Sequence, residues 1–189
     1  MKKLLIASAV SASLLTSAVA HAETASILDN WEQNAYAQVK VGMTDMGLSD
    51  DATTVTGVVG LNTPSIHPML SFEADLTFTV ADAESAYPSS IGTTTVEASA
   101  FSIGGYAVAN FNQLGIENLT PFARIGLAYT SVDVTASNSY ASASGDDSEF
   151  DLGLGAGLRY QMTDQFSAMV DYSTVSELDT LNLGVQFTF

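Results

Sequence analysis

The stretch LNLGVQFTF, residues 181–189, alternates between apolar and polar side chains over its whole length. Successive side chains of an extended strand point to opposite faces, so this alternation predicts a β-strand with one apolar and one polar face. The apolar positions are Leu181, Leu183, Val185, Phe187 and Phe189. We therefore expect one face of this strand to contact an apolar environment and the other a polar one.

Seven further segments with the same alternation precede residues 181–189 and are separated by residues that favour turns. Two stretches between them, Asp82–Thr94 and Asp133–Ser148, are expected to be long loops. This pattern predicts an all-β fold, an eight-stranded antiparallel up-and-down β-barrel. The seven segments are expected at about Ala35–Met43, Thr53–Leu61, Leu70–Val80, within Thr95–Phe111, Phe122–Tyr129, Phe150–Tyr160 and Phe166–Tyr172.

The N-terminus has the features of a cleavable export signal. Lys2 and Lys3 precede the apolar segment Leu4–Ala20, and Ala20-His21-Ala22 fits an A-x-A cleavage site, so cleavage is expected after Ala22. An uncleaved transmembrane helix is the alternative, but the apolar segment is short and the cleavage pattern follows it. The predicted organisation is a signal peptide at 1–22, a periplasmic lead-in at 23–34 and the barrel at 35–189.

The chain is strongly acidic, with a formal net charge of −16 from 21 acidic and five basic residues. This charge argues against nucleic acid as a partner and against binding of anionic lipid through a basic patch. Solubility alone is a simpler explanation of the acidity. The chain contains no cysteine, so no disulfide framework is expected.

Charged residues within the alternating segments fall on the polar face, opposite the apolar one. An eight-stranded barrel has a lumen just wide enough to be filled by side chains, and glycines on the same face would make room for long charged ones. Alternation alone does not distinguish a water-soluble barrel from a membrane barrel, whereas the export signal and the terminal aromatic residue favour the membrane. The predicted lumen charges are Lys40, Glu73, Asp75, Arg124, Asp151, Arg159 and Asp171.

Four stretches resemble the small outer-membrane β-barrel family that includes the membrane domain of OmpA-like proteins and the opacity-type proteins. They are AYAQVKVGMT (35–44), TPFARIGLAYT (120–130), FDLGLGAGLRYQMTDQFSAMVDYS (150–173) and LNLGVQFTF (181–189). The resemblance implies a transmembrane β-barrel in the outer membrane of a Gram-negative bacterium, in contact with lipid and lipopolysaccharide. It also implies that the five apolar residues of 181–189 are a C-terminal signal for the barrel-assembly machinery. A periplasmic peptidoglycan-binding domain is not expected, because the sequence ends with the barrel.

Several functions are compatible with such a barrel, and catalysis is the least supported. Some eight-stranded outer-membrane barrels modify lipid A with a histidine near the extracellular rim, but His67 lies between Pro64 and Pro68 in a predicted periplasmic turn. No catalytic residue, cofactor or metal site is therefore expected. The lumen charges either neutralise one another or form a gate. Clustered loop carboxylates suit calcium or magnesium, although a solvated acidic rim is the simpler interpretation.

These alternatives lead to one preferred function. We expect a non-enzymatic envelope protein with a structural or surface-interaction role through acidic extracellular loops, for which host or phage surface ligands are candidate partners. The alternatives are a narrow gated channel or small-solute porin, and a lipid-modifying enzyme. A wide pore is disfavoured because open porins have about 16–18 strands.

Overall fold

The computed structural model describes residues 31–89, 92–111 and 117–189. The predicted signal peptide, 1–22, and most of the predicted lead-in lie outside these residues. Among the described residues, no helix is both long enough and apolar enough to cross a bilayer.

The described chain consists almost entirely of antiparallel strands. A single helical turn, α1 (Trp31–Asn34), leads directly into the first strand. The strands are β1 (Ala35–Asp45), β2 (Ala52–Asn62), β3 (Leu70–Ala81), β4 (Ala83–Ser89), β5 (Gly92–Asn110), β6 (Leu119–Ser137), β7 (Ser142–Gln161), β8 (Phe166–Val175) and β9 (Leu178–Thr188).

Eight of these strands close into a barrel. With the short strand β4 left aside, consecutive strands pair with one another, so β3 pairs with β5. β1 pairs with β9 to close the ring. The short strand β4 follows β3 after Asp82 and continues its pairing along the outer part of β5. The eight-stranded antiparallel barrel predicted from the sequence is thus confirmed.

The barrel exposes its apolar side chains and buries its polar ones, which is the reverse of a water-soluble barrel. Leu127 and Leu183 on the outer face are each 66% exposed, whereas Lys40 on the inner face is 1% exposed. Gln38 and Asp171 are buried in the same lumen. A polar interior behind an apolar exterior is stable only if apolar solvent surrounds the barrel.

The prediction of two long loops is wrong, because the structure has paired strands at both positions. Residues 82–94 contain the whole of β4 and the beginning of β5, and residues 133–148 are the paired ends of β6 and β7 around a short turn at Asn138–Ala141. Residues 142–149 of β7 are exposed on both faces, and the buried residues of β4 are the small side chains of Ala83 and Ser85, so neither sequence carries a clear apolar alternation. A rule that recognises strands by alternating apolar and polar residues therefore predicts loops for these segments.

The turn between β8 and β9 provides a prediction about stability. Val175 pairs with Leu178, which leaves Ser176 and Glu177 as a two-residue turn with φ of 50° and 65°. This conformation strains residues other than glycine and asparagine, so replacing Ser176-Glu177 by Asn-Gly should raise the free energy of unfolding by about 1 kcal/mol.

Urea unfolding in detergent micelles, followed by circular dichroism, measures this effect. The matched control replaces both residues with alanine, which keeps a side chain at each left-handed position and should bring no gain. Equal stability of the Asn-Gly and Ala-Ala variants would contradict the assignment of strain to this turn.

Candidate functional site

The centre of the lumen is occupied by a buried guanidinium and its carboxylate partners. Arg124 Nη1 lies 3.0 Å from Asp75 Oδ2, to which it donates a hydrogen bond, and 3.9 Å from Glu73 Oε2. Lys40 Nζ lies 3.0 Å from Asp171 Oδ2, within ion-pair distance but without hydrogen-bond alignment. Since all five side chains are buried, each charge depends on its neighbours rather than on water for compensation.

An aromatic ring packs against this cluster. Tyr106 is 4% exposed, and the guanidinium of Arg124 lies over its ring at 4.3 Å from the ring centre. The ring rests against Gly104, Gly126 and Gly153, where an added Cβ would stand 2.6 to 2.7 Å from ring atoms. The absence of side chains at these glycines is what allows the ring to lie across the lumen.

Large lumen side chains are matched to glycines across the strand ladders. A side chain directly opposite a glycine can occupy the space that its partner lacks, so this register fills a narrow lumen without collisions. This agrees with the sequence expectation that glycines make room for charged residues, but it includes two tyrosines that alternation did not identify. The register pairs are Tyr36–Gly60, Lys40–Gly184, Tyr106–Gly126, Arg124–Gly155 and Asp171–Gly157.

A second layer of polar contacts spans the lumen beside Glu73. Tyr36 Oη donates to Glu73 Oε1 at 2.8 Å, and Gln38 Nε2 donates to the same oxygen at 2.9 Å. Arg159 Nη1 donates to Asn110 Oδ1 at 3.0 Å. The lumen is thus crossed by hydrogen bonds as well as by ion pairs, and side chains block it.

Two of the seven predicted lumen charges do not join the ion pairs of the described residues. The guanidinium of Arg159 bonds to an amide oxygen and lies 5.1 Å from the centre of the Phe122 ring. Asp151 is only partly buried, and its Oδ1 accepts the N–H of Leu152 at 2.6 Å. Parity assigned these residues to the inner face, but it carried no information on their partners across the lumen.

A small cavity lies on the other side of the Arg124–Asp75 pair. Its volume of about 50 Å³ leaves room for a few water molecules. Hydroxyl groups surround it and bond to one another, as between Thr56 and Thr77 at 2.8 Å and between Thr44 and Thr180 at 3.0 Å. The lumen is therefore lined by hydroxyl groups at this end and closed by charged side chains beside the cavity.

Beyond the barrel, four strands continue as a sheet, which we call the projecting sheet. It consists of β4, residues 92–100 of β5, residues 130–137 of β6 and residues 142–149 of β7. Tyr129 and Phe150 lie at its base, and their ring centres are 5.0 Å apart in a tilted arrangement. The eight residues of β6 beyond Tyr129 extend about 26 Å at the rise of an antiparallel strand.

The projecting sheet is acidic. The basic residues after position 22 are Lys40, Arg124 and Arg159, which the barrel directs inward, so no lysine or arginine lies on the sheet. Among the described residues, no three histidine, aspartate or glutamate side chains are grouped closely enough to hold a metal ion. Asp82 lies directly before the sheet. The acidic residues of the sheet itself are Glu84, Glu97, Asp133, Asp146, Asp147 and Glu149.

The five predicted apolar residues of 181–189 extend along the height of the barrel, and Phe187 and Phe189 lie near the end opposite the projecting sheet. Leu181, Leu183, Val185 and Phe189 point outward and are exposed, and Phe187 packs at 5.2 Å from both Phe166 and Phe189. Their role as an assembly signal stays a prediction. His67 Nδ1 accepts the N–H of Met69 in an exposed turn, which is a structural contact.

Comparison with known proteins identifies the fold and the family. Residues 8–189 match the family model described as the outer membrane protein β-barrel domain. The solved structures similar to the chain include Neisserial surface protein A, at 17% identity and a TM-score of 0.52 over 82% of this chain and 97% of that one. A major outer membrane protein from Thermus thermophilus gives 14% identity and a TM-score of 0.54 over 82% of this chain and 99% of that one.

A third similar structure is Ail, the attachment invasion locus protein of Yersinia pestis. It gives 13% identity and a TM-score of 0.51 over 82% of this chain and 97% of that one. Ail has also been solved in complex with the heparin analogue sucrose octasulfate. A comparison with curated proteins gave no significant match. At these identities the similar structures establish the fold alone.

Proposed function

Because the chain belongs to the outer membrane protein β-barrel family and lies in the bacterial outer membrane, we propose that it is a non-enzymatic surface-interaction protein. The observation that carries this proposal is the length of three strands. β5, β6 and β7 contain 19, 19 and 20 residues, whereas about 9–11 residues cross a membrane. The excess forms the projecting sheet, a rigid surface held outside the cell.

The filled lumen supports an interaction role over a porin role. Arg124, Asp75 and Glu73 are buried at the centre, and hydrogen-bonded side chains cross the lumen beside them. A conducting path through the barrel would require these ion pairs to separate inside a narrow lumen, where unpaired charges are costly. A narrow gated channel is the second candidate, and the observation that favours it is the hydroxyl-lined cavity on one side of the ion pairs.

The charge of the projecting sheet indicates the class of partner. An acidic surface attracts cationic ligands and repels polyanions. We therefore do not expect this chain to bind a polyanion such as the heparin analogue bound to Ail. We propose host or phage surface proteins with basic segments as ligands. Lipid and lipopolysaccharide contact the apolar exterior of the barrel, and the barrel-assembly machinery recognises the apolar residues of 181–189.

Shortening the hairpin of β6 and β7 tests the surface role. Thr130 pairs with Glu149, so replacing residues 131–148 by Asn-Gly should close a shorter hairpin without disturbing the barrel. We expect bacteria that display this variant to lose most of their adhesion to a ligand-bearing surface, or most of their phage adsorption, relative to bacteria that display the intact protein.

Two controls make this result interpretable. A variant with Ile66→Ser in the exposed turn at the opposite end of the barrel should adhere like the intact protein. Liposomes carrying the intact protein should not swell in small sugars, whereas brisk swelling would favour the porin. Unaltered adhesion of the shortened variant would contradict a role for this hairpin.

A further inference from the structure

The two edges of the projecting sheet differ. At the β4 edge, the segment between β1 and β2 covers the strand, since Asp50 donates its N–H to Glu84 O at 3.0 Å and Ser49 donates its N–H to Ser85 Oγ at 2.7 Å. At the β7 edge, pairing with β8 begins only at Leu154. Residues 142–153 of β7 therefore have a strand partner on the β6 side and none on the other side among the described residues.

This open edge is accessible over most of its length. All side chains from 141 to 150 are exposed. An unpaired strand edge presents backbone N–H and C=O groups that can pair with another extended chain. Native proteins usually cover such edges, so a long open edge on the exposed sheet of a surface protein requires a physical explanation.

Carboxylates of β7 itself occupy two of its N–H groups. Ser148 N–H donates to Asp147 Oδ1 at 2.8 Å, and Leu152 N–H donates to Asp151 Oδ1 at 2.6 Å. Positions four residues apart in a strand present their backbone groups on the same side. An N–H used in the β6 ladder would have no hydrogen left for a carboxylate, which places this pair on the open side.

We propose that the open edge of β7, residues 142–153, binds an extended, lysine- or arginine-rich segment of a partner protein as an additional strand. This proposal rests on the surface-interaction function and names the partner class. Basic side chains of the incoming segment pair with Asp147 and Asp151, which releases the N–H groups of Ser148 and Leu152 to donate to its carbonyl oxygens. Main-chain hydrogen bonds then hold the segment and the carboxylates select it.

The same carboxylates exclude other occupants. A neutral strand offers nothing in exchange for the carboxylate that caps each N–H, so its pairing is disfavoured. A second copy of this chain would bring Asp146, Asp147 and Glu149 against their own counterparts, and like charges directly opposite destabilise a strand pair. Charge complementarity thus favours a basic partner over self-association through this edge.

Binding of labelled peptides to the folded protein in lipid nanodiscs, measured by fluorescence anisotropy at physiological salt, tests this proposal. A peptide of alternating lysine and valine should bind, and the matched glutamate–valine peptide should not. Ser148→Pro removes one edge N–H without changing any charge, so it should weaken binding of the lysine peptide about tenfold. Ser139→Pro, in the turn outside the edge, is the matched control and should leave the affinity unchanged.

A variant of the peptide tests the same hydrogen bonds if Ser148→Pro fails to fold. N-methylation of alternate residues along one peptide edge removes its backbone donors while keeping its charge, and it should also abolish binding. Equal affinity of the methylated and unmethylated peptides, or of Ser148→Pro and the intact protein, would overturn strand addition. If the shortened hairpin abolishes adhesion while the lysine peptide does not bind at all, the edge proposal fails and the surface function stands.

Discussion

Replacing Arg124 with methionine is expected to lower the free energy of unfolding by about 3–5 kcal/mol, because the variant leaves two buried carboxylates without their counter-ion. Arg124 Nη1 contacts Asp75 and Glu73, and all three side chains are at most 5% exposed. Methionine keeps most of the volume of the side chain, so the loss reports on charge rather than on a cavity. Urea unfolding in micelles, followed by circular dichroism and by the gel mobility of the folded barrel, measures the change.

Two further variants distinguish the effect of losing the ion pairs on stability from the effect of substituting any polar residue in the barrel. Adding Asp75→Asn and Glu73→Gln to Arg124→Met removes the opposing charges and should restore most of the lost stability. Asp151→Asn keeps the oxygen that accepts the Leu152 N–H, so its effect should stay within about 0.5 kcal/mol. An Arg124→Met barrel as stable as the intact protein would show that these ion pairs do not stabilise the lumen.

The same variant addresses the channel alternative. If Arg124 acted as a gate, its removal would change the single-channel conductance in planar bilayers. Equal conductance of Arg124→Met and the intact protein would exclude Arg124 from any gate. A new open state in the variant would instead support a conducting role for the lumen, because it would appear once the Arg124–Asp75 pair is lost.

Replacing Tyr106 with alanine is expected to cost about 3–5 kcal/mol of stability, since it leaves a cavity in the middle of a packed lumen. The ring fills the space above Gly104, Gly126 and Gly153 and supports the Arg124 guanidinium at 4.3 Å. The space is bounded by glycines, which have no side chains that could move into it, so relaxation around the cavity is limited. The unfolding midpoint in urea measures the effect.

Phenylalanine at the same position is the matched control. The described residues provide no hydrogen bond for the Tyr106 hydroxyl, so Tyr106→Phe should change stability by less than about 1 kcal/mol. Gly153→Ala should destabilise the intact protein, because its Cβ would stand 2.6 Å from the ring, but should be tolerated alongside Tyr106→Ala. Additive effects of these two substitutions would contradict packing of the ring on this glycine.

The barrel itself was predictable because its information is local. Alternation in each strand assigns apolar residues to one face, and residues such as Leu183 and Lys40 lie on the faces that parity predicts. The same rule failed in the strands beyond the barrel. The outer residues of β7 are exposed on both faces, and β4 buries the small side chains of Ala83 and Ser85, so nothing in their hydrophobic pattern distinguishes a strand from a loop.

The candidate site was only partly predictable. The structure buries Arg124, Lys40 and Asp171 in the lumen, whereas Arg159 and Asp151, which parity grouped with them as one network, have other partners. It did not identify Tyr106, because the alternation of β5 is ambiguous at that point. Which side chains meet across the lumen depends on the register of strands far apart in sequence, and single-strand patterns carry no register.

By itself, the sequence of this chain determined the number of barrel strands and, outside the inner part of β5, the face on which their side chains lie. Both follow from the two-residue period of a strand that has lipid on one side and the lumen on the other. Only the tertiary structure decided that Arg124 pairs with Asp75, that Tyr106 lies on glycines of three strands, and that β7 continues beyond β8 with an open edge. These features are relations between strands. Their physical basis is the hydrogen-bond register that closes the barrel, and that register exists only once all the strands are paired.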